Sequence, residues 1–161
     1  MSIPGQVGGA YIATGLEHAE SSAPKYTADN RSAMLDKRFD KLDDVEDYFP
    51  ATEADEQEGA TLGVIAWGST IGTVRESVAL ARANGIKVSA LYPKLIWPLP
   101  AKALASFTEK VDKVLVPEVN KQGQFAKLIA SSTDIKPISY TIYGGMPFSP
   151  KMIADKIKEV I

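Results

Sequence analysis

Residues 62–67, Leu-Gly-Val-Ile-Ala-Trp, form a continuous apolar run that breaks at Gly68-Ser69-Thr70 and gives way to a helical pattern. A half-exposed strand alternates apolar with polar residues, so an unbroken run of this length marks a strand covered on both faces. Ile71, Val74, Val78 and Ala81 then share one helical face. Ser69 or Thr70 can cap that helix, and Asn84-Gly85 supplies a left-handed stop.

The same alternation continues downstream. Lys87–Tyr92 reads as a second strand, and Pro100 suits the first turn of a helix carrying Leu104 and Phe107. Val114–Val116 is a third strand, followed by a helix with Phe125, Leu128 and Ile129. Lys136–Ile142 is a fourth, and Ser149-Pro150 opens a last helix with Ile153, Ile157 and Val160 inside. Parallel neighbours need crossovers, so strands alternating with helices imply a mainly parallel sheet with helices on both faces: a three-layer α/β/α domain.

Upstream the character changes. Asp43–Glu58 holds eight acids and no base, interrupted by Pro50 and followed by Gly59. Such a stretch repels itself and buries little, so it reads as a linker. Before it, Asn30 is placed to cap a helix reaching about Lys41, with Ala33, Met34 and Phe39 on one apolar side and Lys37 and Arg38 outside. Residues 1–27, rich in Gly, Ser, Pro and Ala, read as an extended arm that needs another surface to hold it. The expected organisation is therefore residues 1–58 as arm, helix and acidic linker, and residues 59–161 as the α/β domain.

Composition narrows the function. The 161 residues carry no cysteine and one histidine, His18, which excludes disulfides, a cysteine-held iron–sulfur cluster and a histidine metal cage within this sequence. No apolar run reaches the roughly 20 residues that span a bilayer, and no basic-then-apolar leader opens the sequence, so a cytoplasmic location and no membrane are expected. Residues 1–58 balance to −8 and residues 59–161 to +6, yet the lysines are scattered at helical surface spacing, so no nucleic-acid partner is expected. No nucleophile–base pair points to an independent hydrolase.

Three stretches are candidates for function. Gly68-Ser69-Thr70 at a helix N-terminus offers free amides and two hydroxyls for a phosphate or carboxylate; the alternative is a tight turn with an ordinary cap. There is no G-x-G-x-x-G and no P-loop pattern. Glu118, Asn120, Gly123 and Gln124 follow a strand at the edge where ligands and partners gather in open parallel sheets; the alternative is a solvated loop that caps the next helix. Glu17-His18 sets a histidine beside carboxylates, but without a catalytic constellation it reads as a structural or interface residue. Trp97-Pro-Leu-Pro100 reads as a rigid packing corner.

Taken in order, several motifs resemble the C-terminal part of the alpha subunit of 2-oxoacid:ferredoxin oxidoreductases. They are Tyr11-Ile-Ala-Thr-Gly-Leu-Glu-His18, Lys37-Arg38 with Lys41, and Ile65-Ala-Trp-Gly-Ser-Thr70. Leu91-Tyr-Pro93 with Pro98-Leu-Pro100, Glu118-Val-Asn120 with Gly123-Gln124, and Gly145-Met-Pro-Phe148 complete the set. The Gly-Leu-Glu-His arm looks nearest to the 2-oxoglutarate type.

The resemblance implies the transketolase C-terminal-domain fold, a five-stranded and mostly parallel sheet with one antiparallel strand. It also implies a complex that decarboxylates a 2-oxoacid on thiamine diphosphate and Mg. In such a complex electrons pass through iron–sulfur clusters to ferredoxin, and the acyl group passes to coenzyme A. The family's preceding thiamine-pyrimidine domain, with its Tyr-Pro-Ile-Thr-Pro-like motif, has no counterpart in this sequence. No catalytic residue is therefore carried over, and no cofactor is expected on this chain alone. Ser21-Ser22 stands where the family tends to place a glycine.

The expected role is a structural domain that contacts the thiamine-pyrimidine domain and a beta subunit, inactive by itself. The alternative is a free-standing module that binds coenzyme A or another small anion.

Overall fold

The computed structural model describes residues 2–45 and 52–161, and the chain divides into two compact units, Met1–Tyr48 and Phe49–Ile161. The part of the expected acidic linker at residues 46–51 lies outside the described residues.

The larger unit is built on a five-stranded sheet. Its strands are β1 (Thr52–Asp55), β2 (Leu62–Ile65), β3 (Val88–Pro93), β4 (Lys113–Glu118) and β5 (Ile138–Thr141). Helices α2 (Thr70–Ala83), α3 (Ala101–Thr108), α4 (Gln124–Ser132) and α5 (Pro150–Val160) connect and cover them. Strand order across the sheet is β1-β3-β2-β4-β5; β2, β3, β4 and β5 run parallel and β1 antiparallel to β3. One strand against the run of four is the arrangement the resemblance implies.

The central strands are buried on both faces, as their apolar runs require, and two cores result. On one face Leu62, Val64, Ala66, Ala90 and Leu115 meet Val74, Val78 and Ala81 of α2 and Ile153 and Ile157 of α5. On the other, Ile65, Leu91, Val114 and Val116 meet Leu104 and Phe107 of α3 and Phe125 and Ile129 of α4. This is the three-layer sandwich. Ser149 caps α5 with its hydroxyl, accepting from the Met152 amide, and Pro150 occupies the first position, both as expected.

Part of the stretch expected to be linker is instead a strand. Thr52–Asp55 pairs with β3 in the register Thr52 to Pro93, so the sheet takes in residues upstream of position 59. An edge strand can carry charge because its outer side faces water, and here basic side chains answer the acids. Arg82 donates to the Asp55 carboxylate at 2.8 Å and to the carbonyls of Asp55 and Val88. Arg75 pairs with Glu53 at 2.6 Å, and Lys110 with Glu56 at 2.8 Å.

Three local expectations change. Neither Ser69 nor Thr70 caps α2 with its side chain: Ser69 sits at the cap in helical geometry, and the Thr70 hydroxyl donates back to the Trp67 carbonyl at 2.7 Å. Trp97 does not pack. It is 61% exposed, and Ile96 and Leu99 take the contacts with the core.

The third change lies in the smaller unit, where helix α1 (Ala28–Asp43) is capped by Thr27 and not by Asn30. Asn30 ties the arm instead, its amide donating to the carbonyls of His18 and Lys25 at 3.1 Å each. Of the three apolar residues expected inside on α1, Met34 is buried and Phe39 is exposed.

Candidate functional site

Two of the three nominated stretches converge. In the strand order, the crossover from β2 leads to β3 on one side, while β4 lies on the other. That reversal is a topological switch point, where the loops leaving two adjacent parallel strands turn to opposite faces and open a crevice at their C-terminal ends. The β2–α2 and β4–α4 loops meet there in a cleft of about 180 Å3 lined by Trp67, Ser69, Thr70, Glu118, Val119, Asn120 and Gln124. Trp67, one of the lining residues, has its ring 5.8 Å from that of Phe125.

The polar groups here differ in what they leave free. Glu118 is 1% exposed, and its carboxylate accepts from the amides of Phe125 at 2.8 Å and Ala126 at 3.1 Å. It also receives the Asn120 side-chain amide at 3.0 Å. A carboxylate at the start of α4 satisfies N–H groups that have no partner within the helix and meets the positive end of its dipole. Asn120 accepts through Oδ1 from the amides of Gln122, Gly123 and Gln124, drawing the loop into a tight turn. Gly123 takes φ +60°, a conformation that favours glycine, and a β-carbon there would press on the Ser139 hydroxyl, which would have to turn away.

Glu118, Asn120 and Gly123 therefore shape the loop. Ser69, Val119 and Gln124 form its outer surface, and among the described residues the Ser69 hydroxyl has no partner. Val119 was not singled out in the sequence; a valine between two polar loop residues signals nothing until its exposure is known.

The same edge carries exposed apolar residues. Trp97, Val119, Tyr143 and Met146 all lie on loops that leave the C-terminal ends of parallel strands. Lys94 and Lys121 are the exposed charges on those loops among the described residues, and the Lys121 ammonium sits 5.4 Å from the Tyr143 ring centre. Exposed Trp, Tyr and Met on one edge of the sheet have the composition of a contact surface.

Glu17 and His18 belong to the smaller unit, where the arm is latched to α1. Glu17 accepts from Arg31 at 2.6 Å through one oxygen and from Arg38 at 3.0 Å through the other. Lys37 pairs with Glu20 at 2.8 Å. His18 Nδ1 lies 2.8 Å from the Ala19 carbonyl, which can only accept, so Nδ1 carries the proton. Arg31 was missed in the sequence, although it is seven residues before Arg38, on the same helical face, and a carboxylate in the arm was available to both.

Hydrogen bonds from Arg38 first and Arg31 second hold the Glu17 carboxyl down to about 2, below the ordinary 4.5. A depressed acid contributes its stabilisation above the ordinary value and loses it as pH falls through the folded one. We expect the latch to be intact at neutral pH and to open between about 4.5 and about 2. The Glu17 carboxyl carbon shift, followed by NMR, checks this: a midpoint near 4.5 would mean that the arm is not latched. Because the arginines are solvent-facing, salt should weaken the latch.

Comparison with known proteins bears on the family and the fold. A family model described as pyruvate:ferredoxin oxidoreductase core domain II matches residues 60–153. The chain is 29% identical, over 93% of its length, to 2-oxoacid:ferredoxin oxidoreductase 2, subunit alpha, of Aeropyrum pernix, and covers 24% of that protein. It is 32% identical, over 99% of its length, to 2-oxoglutarate oxidoreductase subunit KorA of Mycobacterium tuberculosis, again covering 24%.

Among solved structures, the 2-oxoglutarate:ferredoxin oxidoreductase of Magnetococcus marinus, with 2-oxoglutarate, coenzyme A and succinyl-CoA bound, matches with TM-score 0.83 and 49% identity. That match takes in 99% of this chain and 28% of the other. A split-gene transketolase matches at 13% identity and TM-score 0.53, over 66% of this chain and 40% of its own, which speaks to the fold alone. The chain thus spans about a quarter of the length of these three oxidoreductase relatives. With the match at residues 60–153 taking in more than half of the chain and lying on the sheet and helices described above, the chain belongs to the pyruvate:ferredoxin oxidoreductase core domain II family.

Proposed function

We propose that this chain serves as a contact domain in the alpha subunit of a 2-oxoacid:ferredoxin oxidoreductase acting on 2-oxoglutarate. The observation that carries this reading is the 49% identity, at TM-score 0.83, with the Magnetococcus marinus 2-oxoglutarate enzyme over nearly the whole chain. In the assembled protein, thiamine diphosphate with Mg and iron–sulfur clusters supply decarboxylation and electron transfer to ferredoxin, and coenzyme A takes the acyl group. The complex works in the cytoplasm.

The residues present do not fit those groups. A diphosphate in the switch-point cleft would meet the Glu118 carboxylate and no lysine or arginine. Among the described residues no group of three or more His, Cys, Asp or Glu is arranged to hold a metal ion. We assign the cofactors to the rest of the complex and no chemical step to this chain.

Its part is to present surfaces. The sheet edge at Gly68, Ser69, Thr70 and Gln124, rimmed by Trp97, Val119, Tyr143 and Met146, meets a neighbouring domain or the beta subunit. Glu118, Asn120 and Gly123 hold the loop in the shape that this contact needs. The arm at Glu17 and His18, with exposed Tyr11, Ile12 and Leu16 around it, packs against the thiamine-pyrimidine domain. The same lack of a base in the cleft weighs against an independent coenzyme A module.

Anaerobic assay of the assembled protein tests the reading: ferredoxin reduction should require both 2-oxoglutarate and coenzyme A. Val119→Asp places a charge at the centre of the contact edge. It should weaken subunit association by more than about tenfold while changing folding of the chain by less than about 0.5 kcal/mol, as for other exposed positions. Equal damage to folding and association would remove the contact role.

A further inference from the structure

We propose that the cleft between the arm and α1 is a binding site for a small organic acid, whose carboxylate is received by Arg31 and Arg38. This goes beyond the contact role above, and it requires the arm's contact with the thiamine-pyrimidine domain to leave this cleft open.

The cleft measures about 300 Å3, and Thr14, Gly15, Glu17, His18, Arg31 and Arg38 line it, with Leu16 as its one apolar side chain. That volume is at the lower end for small-molecule sites, and a polar lining suits a charged group over an apolar segment. The exposed Tyr11, Ile12, Tyr26 and Phe39 of the same unit do not line it, so the cleft is distinct from the apolar surface around it.

Charge sets the ligand. Two guanidiniums face one carboxylate, which leaves a net charge of +1. Glu17 is well shielded, with 11% of its side chain exposed, and each of its oxygens takes one bond from one arginine. A guanidinium has five N–H donors in a planar fork. Among the described residues, Arg31 and Arg38 direct their side-chain bonds to Glu17 alone. The remaining donors lie beside a space that a second carboxylate can enter. Thr14 adds a hydroxyl: its oxygen accepts from the Leu16 amide at 3.1 Å, and its hydrogen is left to donate. A planar carboxylate of single charge matches both the fork and the net +1, whereas a doubly charged phosphate would leave the site over-neutralised beside Glu17.

Titration of the 161-residue chain with lactate, a carboxylate of single charge, followed by calorimetry and by amide and arginine Nε shifts, tests the proposal. The expected result is saturable one-site binding, with shifts confined to residues 14–18 and to Arg31 and Arg38. Arg31→Lys keeps a cation for Glu17 but removes the planar fork, and should weaken lactate by at least about tenfold. The Ala19 and Lys25 amides, which bond within the arm, should stay in place in that variant. Arg38→Lys should give the same loss.

Absence of saturable binding to the unaltered chain would overturn the proposal. So would affinity unchanged in both lysine variants. Inorganic phosphate binding more tightly than lactate through the same arginines would overturn the assignment to a carboxylate.

Discussion

Glu118→Ala should lower the stability of this chain by about 3 kcal/mol or more, among the largest effects of any single truncation in the sheet-bearing unit. The carboxylate is buried and receives three donors, the amides of Phe125 and Ala126 and the side chain of Asn120. Alanine would leave the buried Phe125 and Ala126 amides without a partner, at about 1–3 kcal/mol for each buried donor, while the Asn120 side chain lines the cleft and is only part-buried. The loss would also take a negative charge from the N-terminus of α4. Glu118→Gln should fall between the two, because an amide replaces one acceptor oxygen with a donor that faces another donor. Urea unfolding of the chain measures both. A change in Glu118→Ala below about 0.5 kcal/mol would mean that the carboxylate does not hold α4 to the sheet.

Gly63→Ala should cost about 2–3 kcal/mol for the addition of one methyl group. A β-carbon at Gly63 would stand 2.5 Å from Cε1 and 2.7 Å from Cζ of Phe107, with Val111 Cγ2 at 3.2 Å. Phe107 is buried and wedged between α3 and the sheet, so its ring has no open space to move into. Phe107→Leu removes the clashing atoms and should partly rescue Gly63→Ala. The double variant should be less destabilised than the sum of the two single changes by about 1 kcal/mol, as contacting residues in a core behave. Strict additivity would show that the glycine is there for another reason.

These two residues also show what a sequence discloses. Gly63 is plain within an apolar strand, yet its role depends on which helix lies over it. Glu118 is visible as the last residue of a strand, where a carboxylate is equally suited to a solvent edge or a buried cap; burial decides, and burial is a property of the folded chain. The alternation from Leu62 to Val160 was legible because strands covered on both faces are apolar throughout and the helices keep a 3.6-residue stripe.

Thr52–Asp55 was not legible. Four residues with two acids carry no strand pattern, and only Arg82, some 27 residues away, makes the placement of Asp55 favourable. The Gly68-Ser69-Thr70 and Glu118–Gln124 stretches could each be placed at a strand end. Their meeting in one cleft follows from strand order, which local patterns do not specify. The pairing of Arg31 and Arg38 with Glu17 was hidden for a similar reason: the arm's path over α1 rests on turns at Thr14 and Ser22 and on the Asn30 side chain.

The most direct test of the central claim is native mass spectrometry of the endogenous protein, isolated anaerobically with an antibody against this domain. The account predicts an assembly in which the domain is joined to further oxidoreductase sequence and to a cluster-bearing beta subunit, with thiamine diphosphate retained. A free species of the mass of these 161 residues, with no subunit and no cofactor, would contradict it.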